Sequence, residues 1–399
     1  YLVGMHSVEG ATAAVIERVQ RLASELVAIR EAHGRVTAID LIAPRSLPGF
    51  DNSAMDGYAV RSADLPGVFP VVATVAAGQV MQTEVPERAA VRIFTGAPMP
   101  AGLDTVVIQE DAEAEADHVK LPEQKLGENV RQIGEDIKEG EVAVPAGSRL
   151  GAGELGLCAA LGLAEITVVR QPHVAIIATG DELVDVSTAL GPSQIVDSSA
   201  HSLPAMIREA GGIATYVGIA KDDPITMAAL IASALDHDVV ITTGGVSVGD
   251  RDHVRAALAS AGVELELWKV AMKPGKPFSF GINGRVPVFG LPGNPISTYV
   301  AFELFVRPAL LAMQGVAAIQ RPRAPVNLVR GYRKTAGRTH FIRARVERNG
   351  EHLIAHPHPK QGSAMLSSLI GCNALVELPA EASEIAPNSV MNAILLEAV

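Results

Sequence analysis

The stretch ATYVGIAKDDPITMAALIASALDHDVVITTGGVSVGD, residues 214–250, decides the fold. ATYVGIA is a short apolar run, and Pro224 opens a segment with apolar residues at helical spacing. VVITT is a second continuous apolar run, which breaks into a loop of Gly, Ser and Asp. Strands that are apolar without alternation are buried on both faces, which is the mark of a parallel sheet layered between helices. The same alternation extends on both sides. HVAIIATGDEL (173–183) reads as strand and turn, and HSLPAMIREAGG (201–212) as a helix ended by paired glycines. DHVRAALASAGV (252–263) is a helix, VELELWKVAMKPGKPFSFGIN is extended with a Pro/Gly break, and PVFGLPGNP leads to the helix ISTYVAFELFVRPALLAM. These elements predict a doubly wound α/β domain over residues 172–322.

Residues 48–138 have a different texture. Short apolar runs such as YAVR, FPVVATVAAG and DTVVIQED are broken by Gly and Pro, which predicts a β-rich inserted domain. SVEGATAAVIERVQRLASELVAI, at the N-terminal end, is expected to form one or two helices. GAGELGLCAALGLAEITVVRQP, after the β-rich segment, reads as a helix and a strand that return to it. Together these give a mixed helical linker domain from residues 1–47 plus 139–171. Residues 323–399 return to short alternating strands (FIRARVERNG, EHLIAHP, NALVELP), expected to form a small β-barrel or sandwich.

Composition excludes several functions. The formal net charge of −11 opposes nonspecific association with nucleic acid or an anionic membrane, so an anionic ligand requires a local basic cluster or a metal ion. No apolar run reaches the roughly 18–20 residues that span a bilayer, and the start YLVGMHSVEG does not read as a signal peptide. Two cysteines, Cys158 and Cys372, are too few for a disulfide framework or a thiolate metal site and are expected to be ordinary thiols in a reducing cytoplasm.

Ligands of parallel α/β sheets bind beyond the carboxyl ends of the strands. Three loops leave at that edge: ATGDEL (178–183), TTGGVSVGDRD (242–252) and GLPGNP (290–295). Gly244, Gly245 and Gly249 allow the backbone to form an anion nest ahead of a helix. The loop is not a nucleotide-hydrolysing P-loop, because the GK[ST] ending is absent, and GGVSVG has the wrong spacing for a dinucleotide fingerprint. Asp181, Glu182, Asp250 and Asp252 follow these strands closely, either as helix and turn caps or as oxygen ligands for Mg2+. Lys269, Lys273 and Lys276 gather around a Pro-Gly turn, either to balance an anion or as solvated lysines. LPGFDNSAMDGYAVR concentrates Asp51, Asn52, Ser53 and Asp56 more densely than a turn requires. Thr95, Asp136, Arg343 and Ser363 are unremarkable by local criteria.

The strings PGFDNSAMDGYAVR, FTGAP, NVRQIGEDI, ATGDEL, TTGGVSVGDRD, KPGKPFSFG, GLPGNP, HFIRAR and HPKQGSAMLSS, taken in order, resemble the MoeA-type molybdopterin molybdotransferases, which are related to the C-terminal domain of gephyrin. They cover almost the whole chain. The resemblance implies insertion of molybdate into adenylylated molybdopterin with release of AMP, dependent on Mg2+. It implies a homodimer whose central α/β domain is MogA-like, whose C-terminal domain is a β-barrel, and whose cleft borrows the β-rich domain of the second subunit. A MogA-type adenylyltransferase would be the partner that supplies the substrate.

Carried over by motif, Asp56, Thr95 and Asp136 would line that cleft from the β-rich side, and Glu182, Asp222 and Asp252 would act from the α/β side. Gly244, Gly245, Ser247, Gly249 and Asp250 would take the phosphate, with Glu182, Asp250 and Asp252 as the Mg2+ ligands. Lys269, Lys273 and Lys276, with Pro292 and Pro295, would border the molybdate region, and Arg343 and Ser363 would contact molybdate. Insertion of tungstate, and a non-catalytic scaffold role as in gephyrin, are the alternatives.

Overall fold

A computed structural model of the chain describes residues 5–221, 223–245 and 253–399. The helix Val8–Arg18 starts at Ser7, whose Oγ accepts the Gly10 N–H at 3.0 Å, a normal N-cap. Its buried stripe, Val8, Ala11 and Val15, joins the apolar cluster of Phe302, Phe305 and Leu310, so it packs on the last long helix of the α/β domain. The helical reading stops there. Ser24–Ala28 is a strand, paired antiparallel with Glu165–Val169, which also pairs with Val36–Thr37. The correction has a physical cause: EITVV is rich in β-branched residues and offers a ready strand edge, and that distant pairing overrides the local helical preference of SELVA.

The β-rich part is a six-stranded sheet in the order Thr105–Ile108, Gly57–Val60, Ala90–Ile93, Gly67–Val75, His118–Leu121, Glu113–Glu115. Ala59, Val91 and Val106 pack on one face, and Val60, Ala90 and Val107 on the other, so both faces are covered. Gly57 is required by the close approach of two strands: a Cβ there would lie 2.1 Å from the Val107 carbonyl oxygen.

The α/β domain carries a six-stranded sheet in the order Ile213–Ala220, His173–Thr179, Val239–Thr243, Val286–Leu291, Ser279–Asn283, Glu264–Trp268. The first four strands are parallel and the last two antiparallel. Val174, Ile176, Val239 and Ile241 face one core with the helices Ser199–Glu209 and Pro295–Met313. Ala175, Ile177, Val240 and Val288 face the other, under the helices Pro224–Ala234 and His253–Ser260. The two-faced burial read from VVITT is therefore observed. The helical run Pro295–Met313 is apolar enough to cross a bilayer by length and composition, yet 83% of that window is buried inside the protein.

In the C-terminal domain, Thr339–Asn349, His352–Pro357, Arg323–Leu328, Val390–Leu395 and Ala374–Leu378 pair in sequence, and the last closes on the first as a β-barrel. Two connections tie it to the α/β domain. Met272–Lys273, from the Pro-Gly turn, pairs in parallel with Thr339 and His340. Arg321 donates to both oxygens of the buried Glu303 at 2.9 and 3.1 Å, and to the Leu396 carbonyl at 2.6 Å.

Candidate functional site

A cavity of about 720 Å³ opens at the carboxyl edge of the α/β sheet, where the three expected loops meet. Thr179, Gly180 and Glu182 line one side, Thr243 to Gly245 the floor, and Pro292 to Pro295 the far side. The sheet fixes their spacing: Gly244 N–H donates to the Leu291 carbonyl at 3.0 Å, and Gly180 N–H to the Ala220 carbonyl at 3.3 Å. Gly244 has φ +88°, and a Cβ there would lie 2.5 Å from the Thr179 carbonyl oxygen, so no other residue fits without moving the floor. Thr298 Oγ1 donates to the Pro292 carbonyl at 2.5 Å and holds the turn that precedes the helix Pro295–Ala301.

Of the residues singled out from sequence, Glu182, Gly244, Gly245, Pro292 and Pro295 are brought together on this cavity. Asp222, Ser247, Gly249, Asp250 and Asp252 lie outside the described residues. The three lysines are not in the wall. Their turn reaches the rim through Pro277 and is closed by Lys269 N–H to the Phe278 carbonyl at 2.8 Å and Val270 N–H to the Lys276 carbonyl at 3.1 Å. Lys269 takes φ +76°, a sparsely populated conformation for a residue with a side chain.

The C-terminal domain closes the cavity with Ala364 and Leu366. Ser363, expected to face an anion, contributes its carbonyl to the Ile296 N–H at 3.0 Å. Arg343 lies underneath, 1% exposed. Its Nε donates to Ser368 Oγ at 3.0 Å, and its Nη2 to the Lys360 and Gly362 carbonyls at 3.1 Å each. Gln361 binds the same residue's backbone in both senses, accepting the Arg343 N–H at 3.1 Å and donating to its carbonyl at 2.9 Å. Burial pulls the guanidinium's pKa down from its ordinary value. Arg343 thus holds the 360–368 loop in place with Nε and Nη2, a use the FIRAR string does not announce.

Asp56, Thr95 and Asp136 stand apart from this cavity, on the β-rich domain. Thr95 N–H and Oγ1 both donate to Asp56 Oδ1, at 2.8 and 2.7 Å, and these two bonds hold the carboxyl's pKa below its usual range. Asp136 is exposed in a turn whose backbone N–H donates to the Leu47 carbonyl. Asp51 accepts the Ile133 N–H at 2.7 Å, which joins the two polar turns. Phe50, Met55, Phe94 and Ile133 are exposed around them. Sequence reasoning passed over Asp197, which lines the cavity 4% exposed. DSSAH ahead of a helix reads as a cap.

Comparison with known proteins gives the same result along the whole chain. Residues 6–162 match the MoeA N-terminal region (domain I and II), 175–312 a probable molybdopterin binding domain, and 325–396 the MoeA C-terminal region (domain IV). The chain is 38% identical over 371 residues to the molybdopterin molybdenumtransferase of Haemophilus influenzae, covering 90% of both chains. The chain belongs to the molybdopterin molybdenumtransferase family. Molybdopterin molybdenumtransferase 2 of Mycobacterium tuberculosis is 36% identical over 396 residues, covering 96% of this chain and 97% of the relative. Among solved structures, the molybdopterin biosynthesis MoeA protein of Pyrococcus horikoshii OT3 superposes with a TM-score of 0.86 at 29% identity, covering 98% of this chain and 100% of that one. The β-barrel, the MogA-like central domain and the β-rich domain are therefore the architecture of this family, and the chain is an enzyme of it.

Proposed function

We propose that the enzyme inserts molybdate into the dithiolene of adenylylated molybdopterin, with release of AMP, in the last step of molybdenum cofactor synthesis. The observation that carries this reading is the cavity itself: a glycine floor, a helix N-terminus at Pro295 and a rim reached by the lysine turn. The dipole at that helix start favours an anion, and because the Gly244 and Ile296 N–H groups are engaged by the Leu291 and Ser363 carbonyls, the phosphate is left to the other loop amides around the floor. Lys269, Lys273 and Lys276 offset the charge of two anions brought onto a protein of net charge −11. Arg343 keeps Nη1 outside the hydrogen bonds that hold the 360–368 loop, and we assign that nitrogen, with Ser363, to molybdate.

Mg2+ fits the residues present in one respect. Its oxygen preference suits Glu182 on the cavity wall, and the ion ordinarily completes its shell with phosphate oxygens and water rather than a protein cage. Among the described residues no group of three or more His, Cys, Asp or Glu could hold a metal by itself. Glu182, with Asp250 and Asp252, would hold Mg2+. Bound there, the ion would neutralise charge on the phosphoanhydride as it breaks.

Asp56, Thr95 and Asp136 are proposed to complete the cleft of a second subunit in a homodimer. The exposed Phe50, Met55, Phe94 and Ile133 beside them support a face that is covered in use. The substrate would be received from a MogA-type adenylyltransferase in the cytoplasm, a setting consistent with the free thiols Cys158 and Cys372. Neither molybdate nor tungstate is favoured by a residue on the wall, and competition between the two anions would rank them.

The test is release of AMP from adenylylated molybdopterin on addition of molybdate and Mg2+. Wild type is expected to turn over, and Glu182→Ala to lose about 10²-fold or more of the rate. No AMP release by wild type, where an active transferase releases it, would overturn the reading.

A further inference from the structure

Asp197 is a buried carboxylate with no ion-pair partner among the described residues, and it lines the cavity. It follows the short strand Ile195–Val196 and precedes the helix Ser199–Glu209. Its Oδ1 accepts the Ser199 N–H at 2.9 Å, and its Oδ2 accepts the Tyr216 hydroxyl at 2.9 Å. Burial and the neighbouring Asp197 push the Tyr216 phenol's pKa well above its ordinary value, so Tyr216 remains a neutral donor. One donor on each oxygen fixes the plane of the carboxylate. An ionised carboxylate accepts about four hydrogen bonds, so two acceptor positions have no donor among the described residues. A desolvated carboxylate in that condition is costly unless a ligand brings the missing donors.

We infer that Asp197 recognises the pterin ring, accepting from its ring N3–H and its 2-amino group. This inference rests on the function proposed above and specifies one subsite of it. A 2-amino-4-oxo pterin presents two coplanar N–H donors side by side, spaced to meet both oxygens of one carboxylate. Adenine offers one amine flanked by ring acceptors, so it matches only one oxygen. Leu183, Ile195, Val254 and Pro292 supply apolar wall for a flat heterocycle. The nucleotide half of the substrate is then left to the glycine floor, and Asp197 separates the two halves by their hydrogen-bonding edges.

The probes are pterin-6-carboxylate, its 2-oxo counterpart 6-carboxylumazine, and AMP. Each is titrated into the 399-residue chain, the first two by their own fluorescence anisotropy and AMP by calorimetry. Wild type should prefer the pterin over the lumazine by about tenfold or more. Asp197→Asn should abolish or invert that preference, weakening the pterin while its amide pairs with the lumazine N3–H and 2-oxo group, with AMP affinity unchanged. Tyr216→Phe, which keeps the carboxylate but frees its plane, should lose part of the preference and serves if Asp197→Asn does not fold. Unchanged pterin preference in both variants overturns the inference, as does a loss of AMP affinity equal to the loss of pterin affinity, which would make Asp197 a ribose acceptor. Wild type that binds AMP but not the pterin also overturns it. Wild type that binds neither removes the proposed function and this subsite with it.

Discussion

Asp56 and Thr95 show how little of a site a local reading can recover. They are 39 positions apart, and neither residue in its own turn asks for the other. Only the family pattern placed them together. Their two hydrogen bonds make a checkable difference. Thr95→Ala removes the 2.7 Å hydroxyl bond and keeps the 2.8 Å backbone bond, so the Asp56 pKa should rise partway toward its ordinary value. Carboxyl-carbon NMR of the two proteins across pH would measure it, and superimposable titrations would contradict the assignment. Asp197 is the opposite case. Its sequence context fits helix capping so well that no other role suggests itself, and only burial beside a cavity reveals a carboxylate with acceptor positions to spare.

Among elements, those whose partners are close in sequence were legible. Strands such as VVITT carry their burial in their composition, and the helices between them carry caps and period. Asp223, for example, accepts the Thr226 N–H at 2.8 Å, at the N-cap of the helix that Pro224 opens. Ser24–Ala28 was not legible, because its partner lies beyond the whole inserted β-rich segment. The pairing of Met272–Lys273 with Thr339–His340 was invisible for the same reason. That junction buries His340, 3% exposed, with its Nε2 lacking a partner among the described residues. Burial first, then the charges of Lys334, Lys273 and Arg338, push its pKa from 6.5 down to about 4. The folded state therefore refuses a proton that the unfolded chain accepts between about pH 6.5 and 4. Stability should fall as pH drops through that window and level off below it. Urea midpoints at pH 7 and pH 5 should drop further for wild type than for His340→Gln, and equal drops would refute the sign.

At the scale of the molecule, the family architecture was legible from the order of its motifs, while the contacts that hold the domains to each other were not. Glu303 sits in a π-helical turn, Phe302–Val306, inside an otherwise apolar helix, where the sequence alone suggests a solvated charge. It is 5% exposed and held by Arg321, with Arg307 Nε 3.9 Å away. Removing Arg321 would leave a buried carboxylate short of its main partner. Arg321→Ala is expected to cost about 3 kcal/mol, the lower end for a broken buried pair because Arg307 remains. Chemical denaturation followed by a probe in each domain would detect it, and a midpoint unchanged from wild type would show the pair to be neutral. The lysine turn has a mechanical meaning as well. It is covalently part of the α/β domain, yet its strand is stitched into the barrel, so any displacement of the barrel pulls on the turn that reaches the cavity rim through Pro277. The two domains can be exchanged between relatives only as a matched pair. A chimaera that joins this sheet to a foreign barrel would inherit the pocket and lose the grip on its rim.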